Sequence, residues 1–491
     1  DIQALVTPVF ACLCRFGYDR VNLGSQLSRR LAVRSRMDCL TMNTVLKNRI
    51  VYIPIEKRMR EMSAKLLVAL ELTRRDFSVV FGFHRAILAN LSNFPPGAVL
   101  FKGMNRVQEE FMTQAMPYEH VLLATDEEAL GAGDAKYLTT EIQDNVHKLI
   151  RLVLCQGETQ KRGLATYKNF TEDQLSVVGN PRVDLLREPL RGVMDAEAVE
   201  MRAARGPFVL INTNFGATLS DRHSIEEYRR RLITIGWADP AAPESVALME
   251  AHIADDIANV SAIGNYVRAM NSARPDIRLI LRPHPSEDRR HWLTLSNEVG
   301  NLEVVENTEA GPWMIACDLL VQTGCTTGVE AAILGTSTLS LITQSDGDGF
   351  WTNFLSNKIN PVVRSIDEAV DFTAAKVDRS ETYAFAEAER GAALADHIAI
   401  DLKQTAAEKT AIAIGAIGEE TFQCPAPEAF RLPVNLDEHL KRTVKRWVWD
   451  DAKMDMEDLA RGIVNLSMLD PELSKTETVS LGWGTFLLRA A

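Results

Sequence analysis

Short apolar runs separated by amphipathic intervals of helical length set the rhythm of this chain from residue 50 onward. Ile50-Val51-Tyr52-Ile53-Pro54-Ile55 reads as a buried strand, and the segment behind it places Met59, Met62, Leu66, Leu67 and Leu70 on one helical face. The strand signal returns at Phe77 to Gly82, Ala98 to Phe101, His120 to Ala124, Leu152 to Cys155 and Leu175 to Val178. Strands alternating with helices predict βαβ units and a parallel sheet. A turn at Gly179-Asn180-Pro181-Arg182-Val183-Asp184 closes this first unit, and a charged helical connection spans about residues 185 to 205.

The pattern then restarts. Pro207-Phe208-Val209-Leu210-Ile211-Asn212-Thr213-Asn214-Phe215-Gly216 has the strand-then-small-polar-loop form of a second Rossmann-like domain. A helix from about 245 to 272 and strands at 277 to 281, 302 to 305, 318 to 322 and 338 to 341 continue the alternation. Beyond about residue 365 strand signals fade into a charged, helix-rich tail, with Trp447 and Trp449 anchoring a late helix. The fold class is therefore α/β. Residues 1–48 form an extension, 49–190 an N-terminal Rossmann-like domain, 191–365 a C-terminal Rossmann-like domain and 366–491 a helical tail.

Composition narrows the choices. The chain has 491 residues, too many for one core to keep growing. Apolar residues at 46% and charged residues at 24% are ordinary for a globular protein. A net charge of −12 offers no global field for nucleic acid. No apolar stretch approaches the ~18 residues of a membrane-spanning helix, so the chain is expected to be soluble or peripheral at a membrane face. Seven scattered cysteines, an odd number, fit reduced thiols in a cytoplasmic compartment better than a disulfide framework. Cys12 and Cys14 lack a second close pair, so no metal site is expected. Asp1 in place of methionine reads as a fragment or a processed product, and Asp1, Asp19 and Asp38 break any transit-peptide character of the arginine-rich start.

Chemistry concentrates at strand ends. Arg282-Pro283-His284-Pro285-Ser286 follows an apolar strand with a cationic, rigid turn. Prolines can simply stop a strand, but an arginine and a serine flanking the histidine at a sheet's carboxyl edge can donate several hydrogen bonds to phosphate. Thr323-Gly324-Cys325-Thr326-Thr327-Gly328 opens a helix with more hydroxyls than one cap needs, and its glycines let backbone approach an anion. Glu330, one turn in, suits ribose hydroxyls, a capping box or solvent equally. Asp126-Glu127-Glu128 follows the fourth strand: either an acidic helix start or a source of the base for an acceptor hydroxyl. Asn180, Arg182, Asn212 and Asn214 sit in turns expected to border the same cleft. His84 is a further strand-end residue, structural or acceptor-side.

Taken in order, these segments, with Tyr52 to Glu56 and Gly324 to Ala331, resemble bacterial surface-carbohydrate biosynthesis proteins. That group is similar to GT-B glycosyltransferases such as capsule Kdo transferases, bacterial sialyltransferases and CDP-glycerol glycerophosphotransferases. The resemblance covers roughly residues 50 to 365. It implies two Rossmann-like domains facing a cleft and metal-independent chemistry with no cofactor beyond the nucleotide-sugar substrate. It also implies contact of His284 and Pro285 with the nucleotide and of Thr326 and Thr327 with its phosphate. In that family an acidic pair containing the base precedes a glycine, whereas Glu127-Glu128 here precedes Ala129. The expectation is a glycosyltransferase moving a Kdo-like or other acidic sugar from a cytidine nucleotide to a surface polysaccharide, in the cytoplasm, either free or peripheral at the inner membrane. Its alternatives are a nucleotide-sugar 2-epimerase-like enzyme and a non-catalytic nucleotide or glycan-assembly scaffold.

Overall fold

The structure, a computed structural model, describes residues 46–126, 130, 135–220, 222–306, 308–343, 354–378, 387–423, 427–430 and 453–491. Trp447, Trp449 and residues 1–45 lie outside them. Strands β1 (Leu46–Asn48), β2 (Ile50–Ile55), β3 (Ser78–Phe83), β4 (Ala98–Phe101), β5 (Val121–Ala124), β6 (Leu152–Cys155) and β7 (Leu175–Val177) precede a second set. That set is β8 (Val209–Asn212), β9 (Leu279–Arg282), β10 (Leu302–Val304), β11 (Leu319–Gln322), β12 (Thr338–Leu341) and β13 (Val362–Val363). The last strands are β14 (Gly418–Gln423), β15 (Thr476–Gly482) and β16 (Thr485–Ala490).

In the first sheet β3-β2-β4-β5-β6-β7 run parallel, and β16 then β15 extend it antiparallel beyond β3. The second sheet has the order β10-β9-β8-β11-β12-β13, parallel throughout. Both are doubly wound, and the winding reverses beside β2 in the first and β8 in the second, the position at which α/β sheets hold ligands. Strands buried on both faces explain the unbroken apolar runs, because helices cover each side of a parallel sheet.

Strand alternation assigns the two faces of the second sheet. Val209, Ile211, Leu279 and Leu281 pack with Ile263, Tyr266 and Val267 of the long helix Pro243–Ala273. Leu210, Ile280 and Leu320 point the other way, onto Ala331 and Leu334 of helix α1 (Thr326–Leu334).

The tail is helix-rich, and it also ends in a hairpin absent from the sequence reading. β15 and β16 cross back to the first sheet, where Phe486, Leu487 and Leu488 are buried. Gly82 makes this docking possible: its φ is +142°, and a Cβ there would lie 2.1 Å from the Gly484 carbonyl oxygen. β1, within the expected extension, pairs with β14 from the tail. Helix α2 (Ala406–Ala416) also returns to the first lobe, its first N–H groups received by Asp184 at 2.9 Å each.

Candidate functional site

At the carboxyl edge of the second sheet, Arg282, Asn212 and Gln322 end the adjacent strands β9, β8 and β11. Each lies two residues beyond Ile280, Leu210 or Leu320, so alternation sends all three side chains to the face carrying α1. Arg282 donates to the Thr308 carbonyl. Burial pulls its guanidinium below the ordinary value, against the attraction of nearby Glu330.

Behind this row lies a carboxylate that the sequence reading missed. Glu287 is buried and accepts from the Thr213 hydroxyl (2.8 Å), the Phe215 N–H (2.7 Å), the His284 N–H (3.2 Å) and the Trp292 indole N–H (2.7 Å). It clamps the loop after β8 to the turn after β9. Desolvation pushes its pKa up, and the four donors oppose that shift. Within the clamp, His284 Nδ1 lies 2.7 Å from Ser286 Oγ. Gly216 allows the two turns to touch, since a Cβ there would meet Ser286 Oγ at 1.8 Å. Pro285 and Asn214 are exposed, and Ser286 is half-buried.

The start of α1 is organised by Gln322. Its Oε1 accepts the N–H groups of Gly324 and Cys325, and its amide donates to Ser340. Two of the expected anion donors are therefore already used. Gly324 takes a positive φ of 83° to make this turn. Thr323 is buried, whereas Thr326 and Thr327 are half-buried behind Cys325, which supplies no side-chain cap. Glu330 is buried, not solvent-facing, and pairs with Arg182 from the first lobe.

That pair joins the carboxyl edges of the two sheets. Asn180 caps the helical turn Pro181–Asp184 by accepting the Arg182 N–H at 3.0 Å. Around it opens a cleft, continuous with solvent and lined among others by Glu61, Lys65, Asp126, Asn180 and Arg182. Asp126 accepts from Tyr137 (3.0 Å) and Gln160 (3.4 Å). Glu127 and Glu128 lie outside the described residues. The cavity floor holds a buried ion pair, Lys65 with Glu61 at 3.0 Å. Burial pushes Glu61 up, but the cations of Lys65, Lys102 and Arg60 outweigh it and hold the carboxyl below the ordinary carboxylate range. Lys102 pairs with Glu56 at 2.6 Å, and His84 lies against the Ile55 carbonyl, its pKa lowered to about 4 by burial. The apolar group Val183, Val329, Ala332, Leu394 and Ile398 packs the lobes together beside this edge.

The structure thus brings together Arg282, His284, Ser286 and Asn212 with Gln322, Glu330 and the start of α1, and sets Asn180 and Arg182 across from them. Gln322, Glu287, Lys65 and Lys102 escaped the sequence reading. Gln322 was visible as a polar residue ending a buried strand, while the rest give no local signal. No cluster of metal-ligating side chains occurs among the described residues, and no described helix is long and apolar enough to cross a membrane.

Two doubly wound sheets meeting at their carboxyl edges, with a C-terminal return to the first, make this an α/β protein of GT-B-like fold. No protein-family profile matches the chain, and no curated protein sequence does. Among solved structures it is similar to Anabaena HepE in complex with UDP-glucose, at 9% identity over 75% of this chain and 99% of that one, TM-score 0.41. It is also similar to the wall teichoic acid polymerase TagF, at 11% identity over 82% and 98%, TM-score 0.45. A third is the UDP-GlcNAc 2-epimerase of Neisseria meningitidis bound to UDP-GlcNAc, at 13% identity over 73% and 81%, TM-score 0.39.

Proposed function

We propose that this protein is a glycosyltransferase that moves a sugar, of Kdo-like or other acidic type, from a cytidine nucleotide to a surface polysaccharide. The observation that supports it is the meeting of Arg282, the His284 turn and the start of α1 at one sheet edge, opposite Asn180 and Arg182. A guanidinium and a helix start there oppose the charge that develops on a departing phosphate. The bond from the sugar carbon to the phosphate oxygen breaks, its electron pair leaving with the nucleotide, as the acceptor oxygen bonds that carbon. The acceptor's proton passes to a carboxylate of the segment Asp126-Glu127-Glu128.

A thermal-shift panel of CMP, CDP, UDP and GDP tests this. A ligand at one hundred times its Kd adds about 2.7 kcal/mol of stability. Cytidine nucleotides should raise the melting temperature most. Stabilisation by UDP or GDP alone removes the cytidine donor, and no stabilisation by any nucleotide removes the donor site itself.

A further inference from the structure

We infer that Asn212 reads the junction between phosphate and hydroxylated sugar in the donor, an inference that rests on the donor-site reading above. Asn212 is 1% exposed, and neither its Nδ2 nor its Oδ1 has a hydrogen-bond partner. An unsatisfied amide of this kind is costly in a native interior and calls for an explanation. Its position supplies one. Asn212 ends β8, the central strand at which the second sheet reverses its winding, and its Cα is in register with that of Arg282. Its side chain shares the α1 face with Arg282 and Gln322.

The comparison with Gln322 is instructive. That amide satisfies two backbone N–H groups and Ser340, so recruiting it to a ligand would break three hydrogen bonds. Asn212 breaks none when it turns or when the adjoining loop yields. Its amide presents one donor edge and one acceptor edge on a single plane. Beside a guanidinium and a helix start that draw phosphate, the donor edge suits a phosphate oxygen. The acceptor edge then suits an alcohol hydroxyl held beside the phosphate, which a nucleoside or sugar phosphate carries and inorganic pyrophosphate does not.

The test is calorimetric titration of CMP, UDP and inorganic pyrophosphate into the full chain and into Asn212→Leu, with melting temperatures recorded alongside. Removing an orphaned amide should raise the melting temperature of the ligand-free protein. Nucleoside-phosphate affinity should fall at least tenfold, and pyrophosphate affinity by a smaller factor. Asn212→Ala carries the same comparison of affinities if leucine overpacks the site. Unchanged nucleotide affinity in either variant overturns the inference and leaves the donor-site reading standing. Equal losses for all three ligands, with a lowered melting temperature, assign Asn212 a packing role and overturn it too. Failure of the unaltered protein to bind any of the three ligands defeats the donor-site reading, and this inference with it.

Discussion

Glu287 shows how much of the candidate site depends on one side chain. Its Oε1 receives Thr213, Phe215 and His284, and its Oε2 receives Thr213 and Trp292. Glu287→Gln keeps the shape but presents an N–H to donors on one side or the other, leaving at least one without an acceptor. The expected cost is about 1–3 kcal/mol of stability in denaturant unfolding. Nucleotide affinity should fall about tenfold as the His284 turn loosens, whereas intact affinity would show that the turn holds itself. Arg282, His284 and Ser286 were legible in the sequence because strand, proline and cation stand side by side. Glu287 was not, because Thr213 and Phe215 reach it from a loop more than 70 residues earlier in the chain. Glu330 was read as meeting ribose, a capping box or solvent; burial excludes solvent, and the partner it finds is Arg182 from the other lobe.

At the level of elements, alternation of apolar runs with amphipathic segments was sufficient to find β2 to β12, since each strand needs only its own burial to be recognised. The floor of the first crevice was not legible in this way. Lys65 lies on a helix reading as amphipathic, yet it is buried, donating to the Pro54 carbonyl (2.8 Å) and to Glu61. Lys65→Met should cost about 3–5 kcal/mol in denaturant unfolding, because it strands a buried carboxylate. A loss below about 1 kcal/mol would mean that Arg60, Lys102 and the backbone suffice for Glu61.

Across the whole molecule, burial couples stability to pH. Asp256 sits on the long helix of the second lobe, beside Thr218, and desolvation raises its pKa to about 7. A carboxyl raised in the folded state binds a proton that the unfolded chain releases near the ordinary ~3.9. Its contribution is therefore fully present below about pH 4 and lost as pH rises towards 7. Asp256→Asn should flatten that fall relative to the unaltered protein, by an amount on the order of a few kcal/mol across the window. Parallel pH-stability curves for the two proteins would show that Asp256 titrates normally.

Two parallel sheets, their strand positions and the polar strand ends of the second lobe were determined by the sequence itself, because burial on both faces and carboxyl-edge chemistry are written in contiguous residues. Tertiary structure alone decided that the tail returns as β15 and β16 to seal β3, that Arg182 meets Glu330, and that Gln322 rather than a ligand receives the N–H groups of Gly324 and Cys325. Such choices rest on partners far apart in the chain. Their geometry depends on how whole lobes pack, which no local pattern of apolar and polar residues encodes.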